Sequence, residues 1–289
     1  MPNVAVINGK FMPLASAKVS VEDRGFLFGD GIYELIRSHK GQLFRIDEHL
    51  QRMERSAQAI QLDLRHSRKE WKGLITKAME RSRIRDSKIY VEVTRGAAPR
   101  SHAFPQGVAS TTVITVRPFE PIPERFRYRG VRVITTPDLR WGRCDIKSLN
   151  LLPNILAKQQ ALESGAFEAI FLRSGQGSEA TSSYVTEGTS SNVFAVFGDV
   201  VVTSPQGPTI LSGVTRDMVL ELARSRGLKA EERAITSTDL FQADEVFLTG
   251  TTMEVLPINR VDQTAIGKGK PYRTTQQLHR RLIELMLRP

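Results

Sequence analysis

The chain has 289 residues, of which 40% are hydrophobic and 25% charged, and 41 Lys and Arg against 31 Asp and Glu give a net charge of +10. This ordinary globular composition excludes a fibre or a disordered tail, and the length predicts one large domain or two domains. No apolar run is long enough for a membrane span, no signal-peptide pattern opens the chain, and Cys144 is the only cysteine. We therefore expect a cytoplasmic protein without an internal disulfide or membrane partner.

The basic residues are scattered rather than gathered into one patch. Pairs such as Arg52/Arg55 and Arg280/Arg281 alternate with acidic residues, as on solvated helix faces. No zinc-finger spacing and no aromatic RNA-binding signature occurs, so nucleic-acid binding stays a weak alternative and we expect no nucleic-acid partner. His49 has no second histidine at metal-ligand spacing, and we expect no metal site.

The N-terminal part predicts a hairpin, a loop and a long strand. Asn8-Gly9 between Val4–Ile7 and residues 10–12 is a strong hairpin signal. Residues 23–31 are expected to form a glycine-punctuated loop before a strand at 32–37.

Two helices and two further strands are expected next. Asp47 is predicted to cap the first helix, and Ser67 with Glu70 forms the capping-box pattern of the second. Strands follow at 88–95 and 111–117. Closely spaced prolines then favour extended backbone, which predicts an interdomain linker.

The domain boundary is placed at this linker. We predict a smaller N-terminal α/β domain at 1–117, a linker at 118–130 and a larger C-terminal domain at 131–289. The larger domain should contain both element types, with helices at 150–163, 214–226 and 274–287 and strands at 131–135, 166–172, 191–197, 200–202 and 246–248. Helices and strands do not alternate regularly, so two mixed α/β domains are favoured over a barrel or a doubly wound sheet. The Gly- and Ser-rich residues 172–185 are expected to form a mobile loop.

A lysine and a carboxylate are the first candidates for chemistry. Lys147 has apolar neighbours on both sides, and a partly dry lysine loses its proton easily and attacks aldehydes. Glu187 lies in a loop of small polar residues that precedes an apolar strand. A surface lysine and a polar turn are the ordinary alternatives for these two positions.

Several segments could bind anions. Residues 211–217 run from a loop into a helix start, where free N–H groups and the helix dipole favour a phosphate. Gly250-Thr251-Thr252 is a second small-residue turn, Arg52 begins a helix, and Arg100-Ser101-His102 could hold a carboxylate. A helix cap, a surface turn or an exposed arginine would explain each segment separately. Together with Lys147 they meet the requirements of a phosphorylated aldehyde cofactor held as a Schiff base.

These motifs together resemble the fold type IV pyridoxal-phosphate enzymes, the class IV aminotransferases, and among them most of all the bacterial D-amino acid aminotransferases. The similarity covers nearly the whole chain. It is carried by motifs in the family's order, namely Asp23-Arg24-Gly25, Phe28-Gly29-Asp30-Gly31, Thr94-Arg95-Gly96, Pro99-Arg100-Ser101-His102, the segment 143–150, the segment 186–194 and the segment 213–217. Thr189 and Gly250 stand where the family pattern has serines.

The resemblance implies a two-domain mixed α/β fold and pyridoxal 5'-phosphate as the cofactor. Lys147 would be the catalytic residue, bonded to the cofactor aldehyde and then moving the substrate Cα proton. The implied cofactor-binding residues are Arg52, Lys147, Glu187, Ser190, Ser191, Leu211, Val214, Thr215 and Thr251. Tyr33, Arg100 and His102 would bind the substrate carboxylate, and the loop with Arg100 and His102 would come from the partner subunit of a homodimer.

The implied reaction is transfer of the amino group of a D-amino acid to a 2-oxo acid, 2-oxoglutarate or pyruvate, with ping-pong kinetics. Three other activities of the same fold stay open: a branched-chain L-amino acid aminotransferase, an R-selective amine transaminase and an aminodeoxychorismate lyase. The lyase shares the Asp-Arg-Gly and Gly-Asp-Gly features, so those motifs do not separate it from the transaminase.

Overall fold

A computed structural model describes residues 3–174, 183–267 and 272–287. The chain divides into two compact units, the first containing Met1–Glu120 with Ile146–Asn150 and the second containing Pro121–Asp145 with Leu151–Pro289. The division after Glu120 falls inside the segment 118–130 that was predicted as the linker. The predicted C-terminal domain differs from the structure at Ile146–Asn150, because backbone hydrogen bonds attach this segment to the first unit.

The first unit is an antiparallel sheet of six strands with three helices. Its strands are β1 (Val4–Ile7), β2 (Lys10–Pro13), β3 (Gly31–His39), β4 (Gln42–Leu43), β5 (Ser87–Thr94) and β6 (Thr111–Pro118), in the order β2-β1-β6-β5-β3-β4. Its helices are α1 (Arg24–Phe28), α2 (Ile46–Ala59) and α3 (Arg68–Ser82), and a 3-10 turn covers Leu14–Ser16. The predicted hairpin is present, with Val6 opposite Phe11.

Alternation along β5 places the core on one side of this sheet. Ile89, Val91 and Val93 are fully buried, and they share a cluster with Leu50 of α2 and Trp71 of α3. Burial of alternate residues is what a half-buried strand requires, so both helices cover the same face.

Two predicted local features of this unit are wrong, and a third is present. Asp47 is not the cap of α2: the helix begins at Ile46 after Arg45, and Asp47 lies in the first turn, where its charge favours the helix dipole. The expected loop at 23–31 contains the short helix α1, whose first turn is capped by the Asp23 carboxylate. The capping box of Ser67 and Glu70 forms as predicted at the start of α3.

The second unit, over its described residues, is a larger mixed sheet with five helices. Its strands are β7 (Val131–Pro137), β8 (Glu168–Ser174), β9 (Ser183–Gly188), β10 (Asn192–Phe197), β11 (Val200–Thr203), β12 (Lys229–Glu232), β13 (Glu245–Gly250), β14 (Glu254–Val261) and β15 (Thr264–Ala265). Eight strands follow the order β12-β11-β10-β13-β14-β7-β8-β9, and β15 pairs with β14. The helices are α4 (Glu124–Arg129), α5 (Leu152–Glu163), α6 (Val214–Ser225), α7 (Ser237–Gln242) and α8 (Arg273–Met286).

The centre of this sheet is buried on both faces. Val246, Phe247 and Leu248 of β13 are fully buried in succession, and Phe247 stacks on Phe194 of β10 at 4.9 Å between ring centroids. Such continuous apolar strands need cover on both sides. Helices α4 and α8 pack against β14, so the C-terminal part of the predicted linker is a helix of this unit.

The predicted loop over 172–185 is strand at both ends, since β8 continues to Ser174 and β9 begins at Ser183. Residues 175–182 of that predicted loop lie outside the described residues. No helix in the described ranges is long and apolar enough to cross a membrane.

Candidate active site

Lys147 has a fixed backbone in the first unit. Its carbonyl oxygen accepts a hydrogen bond from the Tyr33 amide at 3.0 Å, and its own amide donates to Ser56 Oγ at 3.1 Å. Ser148 forms a bridge with Ile32, so the segment lies along the start of β3. The apolar neighbour Ile146 is buried in the core of this unit. Contacts with β3 and α2 therefore anchor this lysine.

The Lys147 side chain is half-buried, and its Nζ lies 4.3 Å from the centroid of the Tyr33 ring. Tyr33 in turn packs against Tyr90, with 5.5 Å between ring centroids. An amine held over an aromatic face gains a cation–π attraction when it is protonated. The first unit thus brings together two predicted site residues, the lysine and the tyrosine.

Arg52 lies on α2 in a buried cluster of charges. Its Nε and Nη2 donate to the two carboxylate oxygens of Glu34, at 2.7 and 2.8 Å, and Glu34 is fully buried. His49 Nδ1 lies 2.8 Å from the same carboxylate. Burial raises the pKa of Glu34, but the charge and hydrogen bonds of Arg52 and the hydrogen bond of His49 outweigh burial and hold that pKa far below its ordinary value. Glu34 is therefore an ionised acceptor, and His49 donates to it.

His49 itself is a neutral donor. Burial lowers its pKa, the hydrogen bond and charge of Glu34 oppose this only in part, and the charges of Arg52 and Lys147 lower the pKa further. Sequence reasoning gave no role to Glu34 or His49. The sequence contained a partial indication of the cluster, because His49 and Arg52 lie three positions apart and therefore on one face of the helix.

Arg100 and His102 are exposed, and both contact the Phe28 ring of the same unit. The backbone of their loop is held by Arg24, whose guanidinium donates to the carbonyl oxygens of Ser101 at 2.5 Å, His102 at 3.3 Å and Ala103 at 3.3 Å. The loop is thus fixed although its two side chains stay exposed.

Asp30 links two arginines of the recognised motifs. It accepts from Arg24 Nε at 2.8 Å and from Arg95 Nε at 2.9 Å. Burial raises the pKa of Asp30, but the hydrogen bonds from Arg95 and Arg24 outweigh it and bring the pKa below its ordinary value. The Asp-Arg-Gly and Gly-Asp-Gly motifs therefore fold the loop that carries Arg100 and His102, a role that sequence reasoning missed.

Within the described chain, no hydrogen bond or ring contact joins Tyr33 to Arg100 or His102. The structure of one chain therefore does not assemble the predicted carboxylate trap.

Glu187 is a buried carboxylate in the second unit. Arg140 donates to its Oε1, and the Leu211 amide donates to its Oε2 at 2.9 Å. Arg140 also forms hydrogen bonds with both carboxylate oxygens of Asp138, at 2.9 Å each. Burial raises the pKa of Asp138, but the hydrogen bond and charge of Arg140 outweigh it, and the pKa falls below its ordinary value. Two carboxylates thus share one buried guanidinium.

Asn192 connects several predicted cofactor segments. Its Nδ2 donates to the Leu211 carbonyl at 2.9 Å and to Glu187 Oε2 at 3.3 Å. A Cβ at Gly213 would lie 2.0 Å from Asn192 Oδ1, so a larger residue there would displace the Asn192 side chain. Asn192 thereby joins β10 to the start of α6. Neither Asn192 nor Arg140 was predicted, because their contacts span distant parts of the sequence.

The helix start at α6 has the expected form of an anion site. Gly213 is its N-cap and supplies no side-chain hydrogen bond, so the amides of Val214 and Thr215 have no partner within the helix. These amides and the helix dipole favour a bound phosphate.

Ser190, Ser191 and Thr251 lie in connections at the ends of the neighbouring strands β10 and β13. The Ser190 amide and Ser191 Oγ donate to Glu168 Oε1, at 2.9 and 2.8 Å. Asn192 is paired with Thr249, the residue two positions before Thr251 on the β13–β14 connection. The Ser190 carbonyl lies 3.4 Å from the position of a Cβ at Gly250, which shows how closely the two segments approach.

Two buried hydroxyls near these connections, those of Thr189 and Thr249, have no partner among the described residues. Thr249 Oγ1 makes no hydrogen bond among the described residues, although the side chain is almost fully buried. Unsatisfied buried polar atoms are uncommon and point to a missing group such as a ligand or water.

The predicted site residues therefore form two groups, one in each unit. The first unit contains Tyr33, Arg52, Arg100, His102 and Lys147. The second unit contains Glu187, Ser190, Ser191, Leu211, Val214, Thr215 and Thr251. In the ranges that the structure describes, no group of three or more His, Cys, Asp or Glu side chains could hold a metal ion.

The family of this chain follows from comparison with known proteins. Residues 31–261 match the family model described as amino-transferase class IV. The D-alanine aminotransferase of Bacillus licheniformis is 44% identical over 266 residues, which is 92% of this chain and 91% of that protein. The D-alanine aminotransferase of Staphylococcus epidermidis is 41% identical over 277 residues, or 94% of each chain. The chain belongs to the class IV aminotransferases.

Solved structures agree in fold. The branched-chain amino acid aminotransferase of Escherichia coli superimposes with a TM-score of 0.90 at 24% identity, covering 99% of this chain and 95% of that one. The branched-chain amino acid aminotransferase from the organism abbreviated T.th., solved with pyridoxamine 5'-phosphate, has a TM-score of 0.89 at 27% identity, with 100% and 96% coverage. The predicted mixed α/β fold of type IV is confirmed, as is the predicted family.

The chain is an aminotransferase, and its cofactor is pyridoxal 5'-phosphate. The residues present fit this group. The second unit offers an oriented carboxylate, an uncapped helix start and an unpartnered hydroxyl, and the first offers a primary amine with a fixed backbone.

Proposed function

We propose that this enzyme transfers the amino group of a D-amino acid, such as D-alanine, to a 2-oxo acid, 2-oxoglutarate or pyruvate, in a ping-pong reaction. One observation carries the proposal: the relatives named D-alanine aminotransferase match this chain at 39–44% identity over nearly its whole length. The fixed loop that holds Arg100 and His102 adds support, since an arginine beside a second donor suits an α-carboxylate.

We assign Lys147 two roles in the proposed reaction. Pyridoxal 5'-phosphate supplies an aldehyde that condenses with amines and a ring that accepts electrons when its nitrogen is protonated. Lys147 Nζ would hold the cofactor through its aldehyde group, with release of water, and would move the proton at the substrate Cα. Because hydrogen bonds to Ser56 and Tyr33 hold the lysine backbone, only its side chain has to move.

Glu187 is assigned to the ring nitrogen, where a carboxylate favours the protonated form. Arg140 donates to one carboxylate oxygen and the Leu211 amide to the other, so the carboxylate is held in one orientation beside a positive charge. Fixed charges of this kind need no reorganisation when the reaction moves electrons into the ring. We further assign Leu211 to the ring face and Ser190 and Ser191 to the cofactor's surroundings.

Arg52, the amides of Val214 and Thr215, and Thr251 are assigned to the phosphate. This donor set combines one guanidinium, two helix-start amides and a hydroxyl, which is the usual chemistry of a phosphate site.

We propose a homodimer in which the partner's copy of the loop with Arg100 and His102 serves this chain together with Tyr33. The apolar face of α5 supports a second copy: Leu152, Ile155 and Leu156 are 65%, 59% and 62% exposed. Apolar patches of this kind mark interaction surfaces on folded proteins. We also propose that the enzyme works in the cytoplasm, since its only cysteine is free and buried.

A branched-chain L-amino acid aminotransferase is the second candidate, since such enzymes are among the solved structures of similar fold. The experiment that separates the two compares donors. Purified enzyme with a visible absorbance band from its cofactor is given D-alanine, L-leucine or R-phenylethylamine, with 2-oxoglutarate as acceptor. We expect D-alanine to react fastest. Faster turnover of L-leucine would contradict the proposal and favour the branched-chain activity.

Two variants test the assigned residues. Lys147→Ala should abolish transamination while the cofactor still binds through its phosphate, and normal turnover would refute the lysine's role. Arg100→Ala should raise KM for amino acids far more than KM for neutral amines, and equal effects would argue against a carboxylate site.

A further inference from the structure

Glu254 has an unusual backbone conformation at the start of β14. Its φ angle is 62°, in the left-handed region that favours glycine, and its side chain is only 8% exposed. It directly follows the three-residue connection 251–253 and is paired with Gly250 across the hairpin. A left-handed residue closing such a connection is usually glycine. Contacts with neighbouring residues must therefore stabilise this backbone conformation of Glu254.

Arg127 of α4 holds both the backbone and the side chain of this turn. Its Nη1 donates to the carbonyl oxygens of Met253 at 2.5 Å and Val255 at 2.8 Å, on either side of Glu254. Its Nη2 donates to Glu254 Oε2 at 2.7 Å. One guanidinium thus contacts three consecutive residues, and its planar shape allows all three bonds at once.

A second donor reaches the same carboxylate from α8. His279 Nε2 lies 2.8 Å from Glu254 Oε2. The Glu254 side chain is therefore held between the two helices that pack on β14. This cluster of Arg127, Glu254 and His279 contacts the turn that contains Thr251, through the carbonyl oxygen of Met253.

We propose that Arg127 is a positioning residue for the cofactor phosphate, acting through Glu254 on the Thr251 turn. The inference depends on the proposed function, in which Thr251 contacts the phosphate. Because Gly250 and Glu254 are paired, the backbone angle at Glu254 determines where the connection leaves the sheet. Loss of the guanidinium removes three hydrogen bonds that favour this angle, and Thr251 then loses its fixed position.

The test compares two ligands that differ only in the phosphate. Dissociation constants for pyridoxal 5'-phosphate and for pyridoxal are measured by absorbance titration of the cofactor-free full chain. We expect Arg127→Met to raise the constant for the phosphorylated ligand about ten-fold or more, the effect of a lost charge-assisted hydrogen bond. The constant for pyridoxal should stay within about two-fold.

Arg125→Met is the matched control on the same helix. Arg125 is exposed, its guanidinium lies 5.0 Å from the Phe126 ring centroid, and it makes no hydrogen bond among the described residues. The Arg125→Met variant should bind both ligands as tightly as the wild type does. If Arg127→Met raised the dissociation constants of both ligands by the same factor, the inference would be overturned, since this would indicate a general loss of structure.

Folding of the variant is not expected to fail. His279 still contacts Glu254 Oε2 in the variant, so the buried carboxylate keeps a partner. Glu254→Gln serves as a second variant, because it keeps the side-chain shape and removes the charge that Arg127 and His279 contact. It should show the same selective loss of phosphate-dependent affinity, and unchanged selectivity in both variants would overturn the inference. A wild type that fails to prefer the phosphorylated ligand would instead overturn the proposed function, and this inference with it.

Discussion

Glu34→Gln should destabilise the protein strongly, although it changes one atom of a side chain far from the surface. Glu34 is fully buried and accepts three hydrogen bonds, two from Arg52 and one from His49. Glutamine keeps one acceptor oxygen, but its NH₂ group would be placed against the N–H donors of Arg52 or His49. The buried guanidinium of Arg52 then lacks its counter-charge, which typically costs about 3–5 kcal/mol.

The assay is thermal unfolding of the cofactor-free enzyme, so that ligand binding does not mask the effect. At about 2–4 °C per kcal/mol for a protein of this size, Tm should fall by roughly 6–20 °C. Glu54→Gln on α2, the helix that carries Arg52, is the control, since Glu54 pairs with Arg68 at the surface with 37% of its side chain exposed. That pair should contribute less than about 1 kcal/mol.

The pH dependence gives a second check on the same variant. The unfolded carboxyl binds a proton near its ordinary pKa of 4.5, whereas the folded pKa lies far below that value. The stabilisation by Glu34 is therefore complete above pH 4.5 and is lost as pH falls towards the folded pKa. The difference between wild type and variant should be constant near neutral pH and shrink in acid. A loss no larger than that of Glu54→Gln would refute the reasoning.

Three further predictions concern other residues. His49→Gln should reduce the loss of stability between about pH 7.5 and 5.5, because burial lowers the folded pKa of His49 and only the unfolded chain gains that proton; unfolding titrations at several pH values measure this. Gly213→Ala should lower Tm and cofactor affinity, because its Cβ would overlap Asn192, whereas Gly73→Ala on an exposed helix face with open space should stabilise by about 0.5–1 kcal/mol. Arg140→Met should lower Tm through unpaired buried carboxylates and shift the absorbance spectrum of the bound cofactor, and an unchanged spectrum would contradict its orienting role.

Local signals predicted most of the regular elements. The Asn8-Gly9 turn, the Ser67–Glu70 capping box and the apolar run of β13 each depend on residues close together in the sequence, and each element forms as expected. The short elements were harder to predict from the sequence. Helix α4 was assigned to the linker, because its six residues carry no apolar periodicity and follow closely spaced prolines.

Sequence motifs named the proposed reacting groups of the candidate site, but they did not name the distant residues that contact those groups. Lys147 and Glu187 stand out by residue type and neighbours. The residues that contact predicted site residues do not stand out in this way. Arg140 lies 47 positions before its partner Glu187, and Glu34 lies 18 positions before its partner Arg52. Only the fold brings such pairs together, since each joins a strand to a different element or loop.

The partners that were missed share one physical role. Arg140 orients Glu187, Glu34 orients Arg52, and Arg24 fixes the loop that holds Arg100. Each places a full charge or a forked donor against a predicted site residue, where low dielectric strengthens the contact. An enzyme that moves electrons between substrate and cofactor benefits from charges that are fixed before the substrate arrives. Conservative exchanges of these arginines to lysine should therefore act like truncations, because lysine keeps the charge and loses the forked geometry that does the orienting.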